Sequence, residues 1–161
     1  MGSVEYLRKH IEIQGFQNLD DERLVRVAPW MRFTPLANIL LITVGTALAS
    51  PIVIGLATLL MASGALTRAH PFDRLYNRIL RPLVNSPRLP PSADRRRFVF
   101  AVAMVWLAGT AVAFQAGELA VGYVLGSIIA VMIAPLAAAH FCPISEPMER
   151  LFGPARANIE D

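Results

Sequence analysis

An all-α, polytopic membrane protein is the fold class this sequence predicts, with four transmembrane helices arranged as two helical hairpins plus an interfacial amphipathic helix. Three observations predict it. Residues 33–67 contain no Asp, Glu, Lys or Arg. Residues 98–145 contain one charge, Glu118. All 15 Lys and Arg lie outside these two stretches. The chain has 161 residues, 55% of them hydrophobic, and its mean hydropathy is +0.48, which suits one membrane domain.

Residues 1–32 form a polar arm of mixed charge, without the short apolar core of a secretory signal, so the first span is expected to act as its own insertion signal. One or two short surface helices are expected in the arm. Asp20 and Asp21 suit the start of a helix entering Arg23–Val27. Pro29 and Trp30 should bring the chain to the interface, where Trp is favoured.

The apolar run 33–67 is too long for one crossing. At about 1.5 Å per residue it would measure roughly 50 Å, against a hydrocarbon core of about 30 Å. Ser50-Pro51 is the natural break, because proline cannot continue a helix but starts one well. The first span is read as Phe33–Ser50 and the second as Pro51–Thr67. In a rival reading Pro51 only kinks one tilted helix, leaving three spans, but that strands apolar residues in water. The second run folds back at Gly117-Glu118, giving spans at Phe98–Ala116 and Leu119–Phe141. Residues 33–67 are thus hairpin 1, 98–141 hairpin 2 and 142–161 a tail.

The loop 68–97 separates them. Within it, 71–84 is the best amphipathic helix of the chain. Phe72, Leu75, Tyr76, Ile79, Leu80, Leu83 and Val84 recur at helical spacing. Asp73, Arg74, Asn77, Arg78 and Arg81 take the other side. Such a helix belongs in the headgroup layer, its arginines near lipid phosphates. Arg95, Arg96 and Arg97 set the loop-side end of the third span, which explains their charge without any nucleic acid. Arg74, Arg78, Arg81, Arg95, Arg96 and Arg97 are the expected membrane-surface cations. In a four-span topology every Lys and Arg falls on one side, so the positive-inside rule places both termini and the loop in the cytoplasm.

The two hairpins read as copies of one unit. Arg32-Phe33 corresponds to Arg97-Phe98, and Gly45-Thr46-Ala47-Leu48-Ala49 to Gly109-Thr110-Ala111-Val112-Ala113. Pro71-Phe72-Asp73-Arg74-Leu75-Tyr76 corresponds to Pro147-Met148-Glu149-Arg150-Leu151-Phe152. A true repeat of two-span units would put a pseudo-twofold axis along the membrane normal.

In the last span Gly122, Gly126, Ala130, Ala134 and Ala138 recur every four residues, a stripe that lets another backbone approach closely. It serves either a seam within the bundle or a contact with a second subunit or flat apolar cofactor. Pro135 is expected to kink the same helix.

Chemistry has few candidates. His70 follows the second span; His140 and Cys142 follow the fourth. If the bundle is twofold, the two histidines could approach at the cytoplasmic rim. A metal site is not expected, with His70, His140 and Cys142 as its only weak candidates, because a zinc site needs four ligands. With one cysteine in the chain, no intrachain disulfide forms. Glu118 sits at an outer tip within reach of water, which disfavours a proton relay. No catalytic residue set stands out, and no cofactor is named.

His70-Pro71-Phe72-Asp73-Arg74-Leu75-Tyr76-Asn77, Leu89-Pro90 with Arg97-Phe98, and Phe141-Cys142-Pro143-Ile144-Ser145 resemble a family of small bacterial membrane proteins known as domain of unknown function 4395. The resemblance covers roughly Leu36 to Gly153. It implies a bacterial plasma membrane and four helices, and no activity. Relatives carry a second cysteine near the end of the last span, or a Cys-Ile-Pro-Ser order. Here the order is Cys142-Pro143-Ile144-Ser145 without a second cysteine, which weakens any paired-thiol chemistry.

Three functional expectations follow. The first is a non-enzymatic accessory or scaffold subunit in the lipid bilayer, packing against other membrane proteins or its own copies. The second is a dimeric carrier of a small solute or sulfur compound, for which Thr43, Thr46, Ser63, Thr110 and Gln115 offer the polar groups. The third is a thiol redox protein using Cys142.

Overall fold

The computed structural model describes residues 3–13, 20–67, 69–84, 88–89, 92 and 94–141. Every regular element among the described residues is helical. The arm is a hairpin of α1 (Ser3–Ile13) and α2 (Asp21–Met31). Ile11 is fully buried against Leu24 and Ala28. Asp20 caps α2, its carboxylate accepting from the Arg23 N–H at 3.2 Å. Arg8 binds Asp21 at 2.6 Å across the hairpin and Glu12 at 3.3 Å one turn on in α1.

Helix α2 runs through Pro29 and stops at Arg32, where α3 (Phe33–Ala47) begins at once. The pair makes a 27-residue rod, Asp21–Ala47. Helix α3 ends three residues earlier than expected. Ala49 takes a left-handed conformation, φ 46°, and the Ser50 N–H reaches back to the Gly45 carbonyl at 2.9 Å. Ser50 then caps α4 (Pro51–Leu66), accepting from the Val53 N–H.

The second hairpin turns the same way. Helix α7 (Asp94–Gln115) ends at Gly117, φ 80°, and the Glu118 N–H bonds the Ala113 carbonyl at 2.9 Å. Helix α8 (Leu119–Ala139) follows and ends at His140, left-handed at φ 56°. Helix α7 begins four residues ahead of the Phe98 at which the third span is expected to start. Asp94 opens α7, and Arg97 reaches back to it at 3.2 Å, so the arginine triplet forms the first helical turn.

The loop helix is interrupted. It is α5 (Pro71–Leu75), a π turn (Tyr76–Leu80) and α6 (Arg81–Val84). Its axis is bent 79° from that of α4. Its faces also differ from the expected two-sided pattern. Asp73, expected on the polar outer side, is 3% exposed, whereas Leu75, Ile79 and Leu83 are 42%, 54% and 76% exposed. The segment is three-sided, because it packs on the bundle and still presents an apolar stripe.

The long helices close a ring in the order α3, α4, α7, α8. Within each hairpin the helices touch, and between hairpins α4 lies along α7 and α3 along α8. A twofold operation exchanging the hairpins preserves this pattern. Ile42, Ile54, Met61, Phe100, Leu107, Phe114 and Ile129 fill the core. The outside is apolar too: Ile52 is 82% and Val131 70% exposed. A surface of that kind suits acyl chains. Three helical stretches, Asp21–Ala47, Asp94–Gln115 and Leu119–Ala139, are long and apolar enough to cross a membrane. A fourth arises if Pro51–Leu66 is counted with Pro71–Leu83.

Candidate functional site

The polar residues of the loop end converge where α3, α5 and α7 meet. Thr34 and Asn38 come from the first turns of α3, 1% and 2% exposed. Asp73 is delivered by α5 because Pro71 starts that helix and His70 caps it. Arg96 comes from the first turn of α7. The Thr34 hydroxyl donates to Asp73 Oδ1 at 2.5 Å, and Arg96 Nη2 donates to the same oxygen at 3.2 Å. Arg96 Nη1 stands 2.9 Å from Asp73 Oδ2, off the direction of a hydrogen bond. The guanidinium also donates to Ser92 Oγ at 3.2 Å and lies 5.2 Å from the Phe100 ring centroid. The ion pair is nearly dry, with 15% and 4% of the two side chains exposed. Oδ1 accepts both hydrogen bonds and Oδ2 faces the guanidinium without one, so the carboxylate ties α5 to α3 and α7.

His70 is fully buried between Phe100 and Phe72, at ring-centroid distances of 4.9 and 5.4 Å. Its Nδ1 accepts from the Phe72 N–H at 3.2 Å, so the neutral ring carries its proton on Nε2. Burial pushes its pKa down to about 4; Arg96 adds to that effect and Asp73 opposes it. Gly64 makes room for the ring: a Cβ there would lie 2.6 Å from His70 Cδ2 and 2.8 Å from Phe100. His70 Nε2, Asn38 Oδ1 and the Tyr76 hydroxyl are buried with no hydrogen-bond partner among the described residues.

The second histidine has other company. His140 Nε2 accepts from Arg32 Nε at 2.9 Å. The arm closes over this corner: Tyr6 donates to the Ala139 carbonyl at 3.2 Å, and the His10 ring lies 6.1 Å from that of Phe141, tilted by 56°. The structure therefore gives His70 and His140 separate polar neighbours. Among the described residues no group of three His, Cys, Asp or Glu could hold a metal. Cys142 lies outside the described residues.

The arginines divide into two groups. Arg74, Arg78 and Arg81 are exposed. The second group packs on the bundle. Arg95 is 9% exposed, Arg96 turns inward to Asp73, and Arg97 donates to the Ala65 carbonyl at 3.0 Å. Starting α7 at Asp94 rotates the triplet onto the bundle.

The small-residue stripe of α8 also faces two ways. Gly122 abuts Phe114 and Gly126 abuts Thr46, with no room for a Cβ at either. Ala130 packs against the core, Ala134 is half-buried and Ala138 is exposed. The stripe is mainly a seam within the bundle. Of the expected polar groups, Thr43 and Gln115 face outward, Ser63 is half-buried, and Thr46 and Thr110 face inward. The Thr110 hydroxyl is spent on the Trp106 carbonyl at 3.0 Å. Asn38 and Thr34 were legible as polar residues early in an apolar run, but only the fold shows that Thr34 bonds Asp73 while Asn38 Nδ2 donates to the Thr34 carbonyl at 3.0 Å.

This arrangement defines a class: an all-helical bundle of three to four helices suited to crossing a membrane, its ion pair buried at the loop end. The chain belongs to the family described as domain of unknown function (DUF4395), which it matches over residues 21–143, from α2 to just beyond α8. No curated protein and no solved structure matches it.

Proposed function

We propose that the protein is a four-span protein of the bacterial plasma membrane, with both termini and the loop in the cytoplasm. In this reading it is a non-enzymatic accessory subunit that packs against a larger membrane protein. The observation that carries the reading is a groove on the outer face of α4 and α7, about 620 Å³ in volume, lined by Ile52, Gly55, Leu56, Leu59, Ala108 and Ala111. Nothing lies within 4 Å of where a Cβ would stand on Gly55 or on nearby Gly109. Association in lipid rests on close packing, so small residues in an open apolar groove suit the approach of another transmembrane helix. The α8 stripe is already used inside the bundle and serves this reading less well.

The test is a Gly55→Leu, Ala111→Leu double variant. Gently solubilised wild type should migrate as a larger complex with a cross-linkable partner. The filled variant should remain folded, checked by its helical circular dichroism and a cooperative thermal transition, and run alone. Wild type recovered only as a free monomer would overturn the reading. Tags at residues 1, 88 and 161 should all report the cytoplasm.

A further inference from the structure

We propose that the segment 71–84 is a docking surface for anionic phospholipid, held in the headgroup layer by the bundle. The inference rests on the membrane placement given above and adds which lipid the protein selects and through which residues. Three faces carry it. Phe72, Asp73, Tyr76 and Leu80 turn to the bundle; Asp73 and Tyr76 are 3% and 0% exposed. Leu75, Ile79 and Leu83, four residues apart, form an exposed apolar stripe. Arg74, Arg78 and Arg81 form an exposed cationic row beside it.

The inner face fixes the roll of the segment. Arg96 and Thr34 hold Asp73, the Trp30 ring packs on that of Tyr76 with centroids 5.4 Å apart, and Asn77 is joined to Leu89 by the Leu89 N–H at 2.9 Å. With the roll fixed and the axis turned 79° from α4, the apolar stripe has one direction to face. An exposed leucine stripe beside a row of guanidiniums fits acyl chains below and phosphates alongside. The charge complement of that row is a negatively charged bilayer surface, such as one rich in phosphatidylglycerol. The π turn lies in this stretch, where Arg81 N–H bonds the Tyr76 carbonyl.

The test uses the full chain in a Cys142→Ser background, reconstituted in phosphatidylcholine vesicles with or without phosphatidylglycerol. Nitroxide labels at Ile79→Cys and Leu83→Cys should meet oxygen more than a water-soluble nickel chelate; a label at Arg78→Cys should show the reverse. Spin-labelled phosphatidylglycerol should associate about fivefold more than spin-labelled phosphatidylcholine, and that preference should fall toward one in R74Q/R78Q. It should survive in R74K/R78K and in millimolar inorganic phosphate, which separates a lipid surface from a free-phosphate site. Labels at 79 and 83 in water, or a lipid preference unchanged in R74Q/R78Q, would overturn the proposal. A label at Leu59, on the outer face of α4, reports whether the bundle is embedded at all, so failure of the membrane placement is distinguishable from failure of this surface.

Discussion

The two ends of the bundle are held by different physics. At the loop end the contacts are directional: a buried ion pair, a capping histidine between two aromatic rings, and an arginine on a histidine. At the hairpin end they are steric. Gly45 admits Ile54, Gly122 admits Phe114 and Gly126 admits Thr46, while the Trp106 indole donates to the Leu125 carbonyl at 2.9 Å. The difference follows from the side chains each end supplies. The loop end brings together a carboxylate, guanidiniums and imidazoles, which hold when they neutralise and hydrogen-bond one another. The hairpin end offers glycines, apolar side chains and hydroxyls, so specificity there comes from shape.

The sharpest way to break the contrast is Arg96→Met. It strands Asp73 without its cation and should cost about 3–5 kcal/mol, read as loss of thermal stability in detergent. Asp73→Asn added to it should recover most of that loss, because the pair's value lies in mutual neutralisation.

His70 supplies a pH signature for the loop end alone. Its unfolded pKa near 6.5 falls to about 4 in the fold, so the unfolded chain takes the proton first. Stability from this group is full above pH 6.5 and falls between pH 6.5 and about 4, by up to roughly 3 kcal/mol. His70→Asn keeps a capping acceptor without the titration, and its stability should vary less across that window than the wild type's.

At the hairpin end, Gly126→Ala meets Thr46 and should destabilise by about 1–3 kcal/mol without any pH dependence. Gly109→Ala, where a Cβ meets nothing, should have the opposite sign and stabilise α7 by about 0.5–1 kcal/mol. A change of the same size is expected for Ala49→Gly, which relieves the left-handed turn at φ 46° and should gain about 0.5–1 kcal/mol in thermal stability.

Much of the fold was legible because each signal is local. Uncharged runs mark apolar helices, Ser50-Pro51 and Gly117-Glu118 mark turns, and Asp20 marks a cap. The loop end was less legible. Asp73 sits among arginines and an asparagine at helical spacing, so periodicity alone assigns it to the outside. Arg96 sits in a triplet that a charge-counting rule reads as a boundary marker. The two find each other across 23 positions, and no local pattern encodes that meeting.

The repeat shows the same division. The hairpins share their turn geometry and crosswise packing, yet Gly45 is buried and its counterpart Gly109 is exposed. His70 caps the start of α5 and His140 closes the end of α8, and they take unlike partners. Sequence alone determined which segments are too apolar for water and where the chain reverses, because both depend on neighbouring residues and the cost of placing charge in oil. Tertiary structure decided which charges are buried, which glycines are contacts and which are open, and which face of 71–84 is left exposed. Those outcomes depend on the roll of each helix against its neighbours, a quantity set by packing over the whole bundle rather than by any stretch of sequence.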